Sequence, residues 1–82
     1  MRYTATLKRR AVKDLKAIPI NDRKNILQRI DALEDDLAGD VKKLADHSRE
    51  YRMRCGNWRV LFEIEDDRIV IYRILNRKDA YR

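Results

Sequence analysis

The chain has 82 residues, near the lower size limit for a self-sufficient core, so residues 1–82 are read as one domain. Twenty Lys and Arg against 14 Asp and Glu leave a net charge of +6, which points towards a polyanionic partner. A lone cysteine, Cys55, excludes an internal disulfide, and no apolar run approaches the roughly 20 residues that span a bilayer; a cytoplasmic protein without a membrane partner is expected.

Arg2 to Leu7, rich in Tyr and Thr, suits a first strand. From Lys8, the apolar residues Ala11, Leu15 and Ile18 recur at i, i+4 and i+7 with Lys and Arg between them, as an amphipathic helix requires. Pro19 ends that helix, because the residue before a proline is pushed out of the helical region. Asn21 or Asp22 then caps a second helix with the stripe Ile26, Ile30, Leu33 and Leu37, closed by Gly39. The short connection makes the two helices an antiparallel hairpin.

Past a polar stretch, Asp40 to Glu50, the period drops to two. Tyr51, Met53 and Cys55 alternate with Arg52 and Arg54, and Gly56-Asn57 forms a two-residue hairpin turn. Trp58 to Glu65 returns with Val60, Phe62 and Ile64 on one face. Asp66-Asp67 makes a second turn, Arg68 to Leu75 a last strand, and Arg77 to Arg82 a polar tail. The expected fold is α+β, in the order β-α-α-β-β-β: a small antiparallel sheet with the N-terminal helical hairpin packed on one face. The other face is open to solvent or to a ligand.

With Gly56-Asn57 as the loop, Cys55 pairs with Trp58, Arg54 with Arg59 and Met53 with Val60. Arg52, Arg54 and Arg59 then share the open face. Like charges directly across strands destabilise a sheet by a few tenths to about 1 kcal/mol, a cost that an anion bound there would offset. Arg77 is expected to emerge at the same end, with Lys78, Tyr81 and Arg82 after it and Lys42 and Lys43 extending the basic surface. Guanidinium groups clamp phosphates and an aromatic ring stacks on an unpaired base, so the constellation suits RNA. Arg73 does not fit simply: it has the parity of Ile69 and Ile71, so it must lie at the edge of the core or snorkel. Tyr51, Trp58 and Cys55 are read as core or half-buried residues.

Two stretches resemble the RelE/ParE toxin superfamily: Tyr51-Arg52-Met53-Arg54-Cys55-Gly56-Asn57-Trp58-Arg59-Val60-Leu61-Phe62 and Ile74-Leu75-Asn76-Arg77-Lys78-Asp79-Ala80-Tyr81-Arg82. The resemblance implies a RelE-like fold and a toxin that cleaves messenger RNA in the ribosomal A site. In that reaction a ribose 2′-OH attacks the adjacent phosphate, without metal or other cofactor. It also implies a cognate antitoxin as partner. By similarity Arg59 stabilises the phosphate, Arg77 supplies charge or a proton, Tyr81 stacks on a base, and Arg52 and Arg54 stand where well-known members carry lysine. Lys43, Lys78 and Arg82 contribute RNA contacts. Arginine is effectively always charged, so Arg54 is a stabiliser rather than a base, and His47, Glu50 and Tyr81 remain candidates for proton removal. A ParE-type gyrase poison and a non-catalytic RNA- or ribosome-binding module are the alternatives.

Overall fold

The structure, a computed structural model, describes residues 1–44 and 50–80. His47, Tyr81 and Arg82 lie outside the described residues. Seven elements follow one another: β1 (Thr4–Leu7), α1 (Arg9–Lys16), α2 (Ile20–Leu33), β2 (Asp40–Lys43), β3 (Glu50–Cys55), β4 (Trp58–Glu65) and β5 (Arg68–Asn76). The strands form one sheet in the order β1-β5-β4-β3-β2. The helical hairpin thus carries the chain from one edge to the other, and the last four strands meander back.

The fold is the α+β arrangement expected, with two differences that share a cause. The polar stretch after Gly39 contributes a strand of its own, β2, paired antiparallel with β3 from Asp40↔Arg54 to Lys43↔Tyr51. Each element reverses the direction of the one before, so a seventh element brings the last strand parallel to the first. β1 accordingly pairs in parallel with β5, Thr4↔Arg68 to Leu7↔Ile71, and the sheet is mixed rather than wholly antiparallel.

The core lies between the helices and one sheet face. Ala11 comes from α1, Ile18 from the connection after it, Ile26, Ile30 and Leu33 from α2, and Met53, Cys55, Val60, Phe62, Ile69, Ile71 and Ile74 from the strands, all buried. Tyr51 stacks on Phe62 with ring centroids 5.5 Å apart and 11° between planes. At about 25 cal/mol per Å² of apolar surface removed from water, this layer is the main stabilising contribution.

The helix ends differ from the capping that the sequence suggests. α2 starts at Ile20, directly after Pro19, and neither Asn21 nor Asp22 caps it; the fixed φ of proline suits that entry. Asp22 instead accepts a hydrogen bond from Trp58 Nε1 at 3.2 Å, tying α2 to the start of β4. The helix stops at Leu33, short of Leu37 and Gly39, and the chain passes through positive φ at Asp36 and Leu37. The N-terminal segment takes over that end: Tyr3 N donates to Glu34 O at 2.8 Å, and Ala5 N to Glu34 Oε2 at 2.8 Å. Arg23 caps the end of α1, its Nη2 donating to the carbonyls of Lys16 and Ile18.

A β-bulge resolves the parity of Arg73. Leu61 pairs with Arg73 and Phe62 with Ile71, so Tyr72 is the extra residue on β5. The core positions step from Ile69 and Ile71 to Ile74, and Tyr72 and Arg73 both escape the interior. Beyond Leu7 no β1 residue covers β5. Asp14 of α1 fills the place: its carboxylate accepts from Arg73 Nε at 2.8 Å and from the Ile74 backbone N–H at 3.0 Å.

Candidate nucleic-acid interface

The turn between β3 and β4 organises the site. Gly56 has a φ of 58°, a conformation that a side chain disfavours, and it is the first loop position, as in a type II′ hairpin turn. The register that follows is the expected one: Cys55↔Trp58, Arg54↔Arg59, Met53↔Val60 and Arg52↔Leu61. Arg54 and Arg59 are therefore directly opposite each other on the face away from the helices.

Their environments differ sharply. The Arg54 side chain is 54% exposed and its Nε lies 3.7 Å from Asp40 Oδ2 on β2. An ion pair this exposed contributes little to stability, so Arg54 remains available to an anion. Arg59, expected on the open face, is only 3% exposed. Its Nη1 donates to the carbonyl oxygens of Gly56 at 2.8 Å and Trp58 at 2.9 Å. It ties down the turn and sets a second positive charge across the strands from Arg54.

Arg77 arrives where the topology predicts. Asn76 pairs with Trp58, and Arg77 N donates to Asn57 O at 2.7 Å, fixing the start of the tail on the turn. Arg77 and Lys78 are exposed. Lys78 N donates to Asn76 Oδ1, and Asp79 N and Ala80 N to Asn76 O, which winds the tail into a tight turn. An open depression of about 460 Å³ beside the hairpin is lined by Asn57, Asn76, Arg77 and Lys78. A second cleft of about 270 Å³ lies against Asp14, Trp58, Arg73 and Asp79; its two carboxylates make it the poorer place for a phosphate.

Further along the same face, Lys42 pairs with Arg52, whereas Lys43 pairs with the core-side Tyr51. Lys42 is therefore the lysine that continues the arginine face. Arg52 is half-buried. The next pair towards the far end is Glu50↔Glu63, so positive charge at the turn gives way to negative charge away from it. The Tyr72 hydroxyl donates to the Glu50 carboxylate; burial, with Glu50 and Glu63 alongside, pushes this phenol up to about 12. On the core side, burial pushes the Cys55 thiol up, and Asn25 Nδ2 donates to its sulfur at 3.6 Å. Among the described residues no group of three or more His, Cys, Asp or Glu is placed to hold a metal ion, and no helix is long and apolar enough to cross a membrane.

Sequence reasoning located Arg54, Arg59 and Arg77 at one end of the sheet. It missed Asp40 as the counter-charge of Arg54 and Tyr72 as a residue of the open face. The parity conflict at Arg73 was the signal for the second, since an odd residue in an alternating strand marks a bulge.

Comparison with known proteins places the sequence and the fold in a family. The family model for the ParE toxin of the type II toxin–antitoxin system parDE matches residues 5–81. Toxin RelE3 of Methanocaldococcus jannaschii is 39% identical over 75 residues, covering 85% of each chain. Among solved structures, the RelB-RelE antitoxin-toxin complex from Methanococcus jannaschii superposes with a TM-score of 0.77 at 34% identity, over 92% of this chain and 93% of that one. The archaeal RelE-RelB complex from Pyrococcus horikoshii OT3 gives 0.78 at 28% identity, over 96% and 99%. On sequence and fold together, the chain belongs to the RelE/ParE superfamily of toxins of type II toxin–antitoxin systems.

Proposed function

We propose that this toxin cleaves messenger RNA on the ribosome, with the arginine end of the open face as its active site. The observation that carries the reading is the convergence of Arg54, Arg59 and Arg77 on the Gly56-Asn57 turn. In the proposed reaction the ribose 2′-oxygen bonds to the adjacent phosphorus as its proton is removed. The bond from phosphorus to the 5′-oxygen breaks, and that oxygen takes up a proton. The products are a 2′,3′-cyclic phosphate and a 5′-hydroxyl end. The pentavalent phosphate gathers negative charge, which fixed guanidinium groups stabilise.

Arg54 and Arg77 are exposed and take the phosphate directly; Arg52 and Lys42 extend the track for the strand. Arg59 holds the turn and supplies charge from across the strands. Glu50 shares the face of Arg52 and Arg54 but stands four residues, about 13 Å, along β3 from Arg54, so His47 and Tyr81 are the proposed candidates for the 2′-OH proton. His47 and Tyr81 lie outside the described residues. Tyr81 as stacking ring, with Lys78 and Arg82 as RNA contacts, completes the proposed surface; Lys43, expected as a further contact, has the parity of the core-side Tyr51 and adds only to the charge at the β2 edge. A cognate antitoxin is the proposed protein partner, since the similar archaeal RelE chains are found in complex with RelB.

A gyrase poison is the second reading, favoured by the match to the ParE family model. A ribosome-programmed cleavage assay separates the two. A-site cleavage that falls at least 100-fold (on the order of the 2.7 kcal/mol for one lost oxyanion-type donor) in Arg54→Ala and Arg77→Ala is the expected result. No cleavage by folded wild type, beside gyrase-dependent DNA breaks, overturns it.

A further inference from the structure

The bulge on β5 does more than free Arg73 from the core. Glu50 lies on β3 and Tyr72 on β5, with β4 between them. Neighbouring strands are about 4.8 Å apart, so the two backbones are separated by about 10 Å. A tyrosine and a glutamate meet over that distance only by lying across the intervening strand. Glu50 alternates with Tyr51, Met53 and Cys55, which pack on the core, so the meeting takes place on the open face. The β4 residues beneath, Leu61 and Glu63, are half-buried although they face away from the helices, as expected of residues roofed by a ring. Tyr72 is itself half-buried. The result is an aromatic ring laid along an otherwise charged sheet, its hydroxyl anchored at the far side.

Its position along the strands matters. From the turn outward, β3 presents Arg54, Arg52 and Glu50, while β4 presents Arg59, Leu61 and Glu63. Two residues along a strand is about 7 Å, so the ring lies one short step from the arginine band. A phosphate is attracted to that band and repelled by Glu50 and Glu63. A neutral base meets no such repulsion, and an aromatic face favours it.

We propose that Tyr72 is a platform on which one base of the bound RNA stacks, oriented by the arginine band on one side and the Glu50–Glu63 pair on the other. The inference rests on the reading that the open face takes RNA. It adds a positioning residue within the described sheet, separate from Tyr81.

The test uses the full chain and a short single-stranded 2′-O-methyl RNA with one 2-aminopurine, whose fluorescence is quenched by stacking and which the chain cannot cleave. Wild type is expected to quench the probe, and Tyr72→Phe to do the same. Tyr72→Leu is expected to bind roughly 5- to 150-fold more weakly, the range for losing one base–aromatic stack. An abasic site in place of 2-aminopurine should weaken binding to wild type and abolish the difference between wild type and Tyr72→Leu. Equal affinity of wild type for the abasic and the complete RNA overturns the proposal and needs no variant to fold. So does a Tyr72→Leu defect that persists with the abasic RNA. Because cleavage is not measured, a chain that fails the ribosome assay yet quenches the probe loses the nuclease reading and keeps this one.

Discussion

At Tyr72 and Glu50, one hydrogen bond spans the open face from β5 to β3. Burial is the main reason that the phenol is pushed from its ordinary 10.0 up to about 12, and Glu50 and Glu63 add to it. The folded chain therefore keeps this proton at a pH where the unfolded chain has released it. Its contribution to stability is complete below pH 10 and is lost as the pH rises from about 10 to about 12. An ultraviolet titration should show a phenolate that appears late, and Tyr72→Phe should remove that late step; absorbance lost from the range near pH 10 instead would contradict the shift. Arg59 shows the limit of reading single residues. Its pairing with Arg54 followed from counting back from Gly56-Asn57, but its burial did not. Two backbone carbonyls at the turn accept from it, partners that no residue type announces.

Asp14 acts at the scale of an element, because one carboxylate takes the place of a strand along the exposed part of β5. Its side chain is 13% exposed and the Arg73 side chain 31%. Asp14→Ala should lower the unfolding free energy by about 2 kcal/mol, as expected for hydrogen bonds to a charged group left without their acceptor. A lower urea midpoint at unchanged slope is the measurement. Arg10→Ala, which removes only a 4.0 Å contact to the same carboxylate from a side chain 64% exposed, should change stability by less than about 0.5 kcal/mol. A comparable loss in both would place the effect in α1 itself. Elements with a strong local code were legible: the helical spacing of Ile26, Ile30 and Leu33, and the β3–β4 register set by Gly56. β2 was not, since Asp40-Val41-Lys42-Lys43 offers one apolar residue and no alternation. Its strand character comes from pairing with β3. The early stop of α2 was hidden for a similar reason, because Glu34 is engaged by β1, which lies 29 residues away in sequence at Ala5.

For the whole molecule, charge and topology set the behaviour. A net charge of +6, with Arg52, Arg54, Arg77 and Lys42 gathered near one end of one face, should make RNA binding steeply salt-dependent. Each phosphate contact on a single strand contributes about 0.7 to the slope of log affinity against log salt. Arg54→Ala should therefore lower the slope by about 0.7 with no change in base preference, measured as Kd over a salt series; an unchanged slope would remove Arg54 from the contact. The pairing of β1 with β5 has a different consequence, one of timing. Thr4 meets Arg68 across nearly the whole chain, and non-local pairing of this kind must close a long loop before any contact rewards it. While the chain is being synthesised, its N-terminal strand can meet Glu34 but has no strand to pair with until β5 has left the exit tunnel. On the open face, Arg77 arrives with that same strand, so until β5 is in place the β3–β4 hairpin carries Arg54 and Arg59 without it.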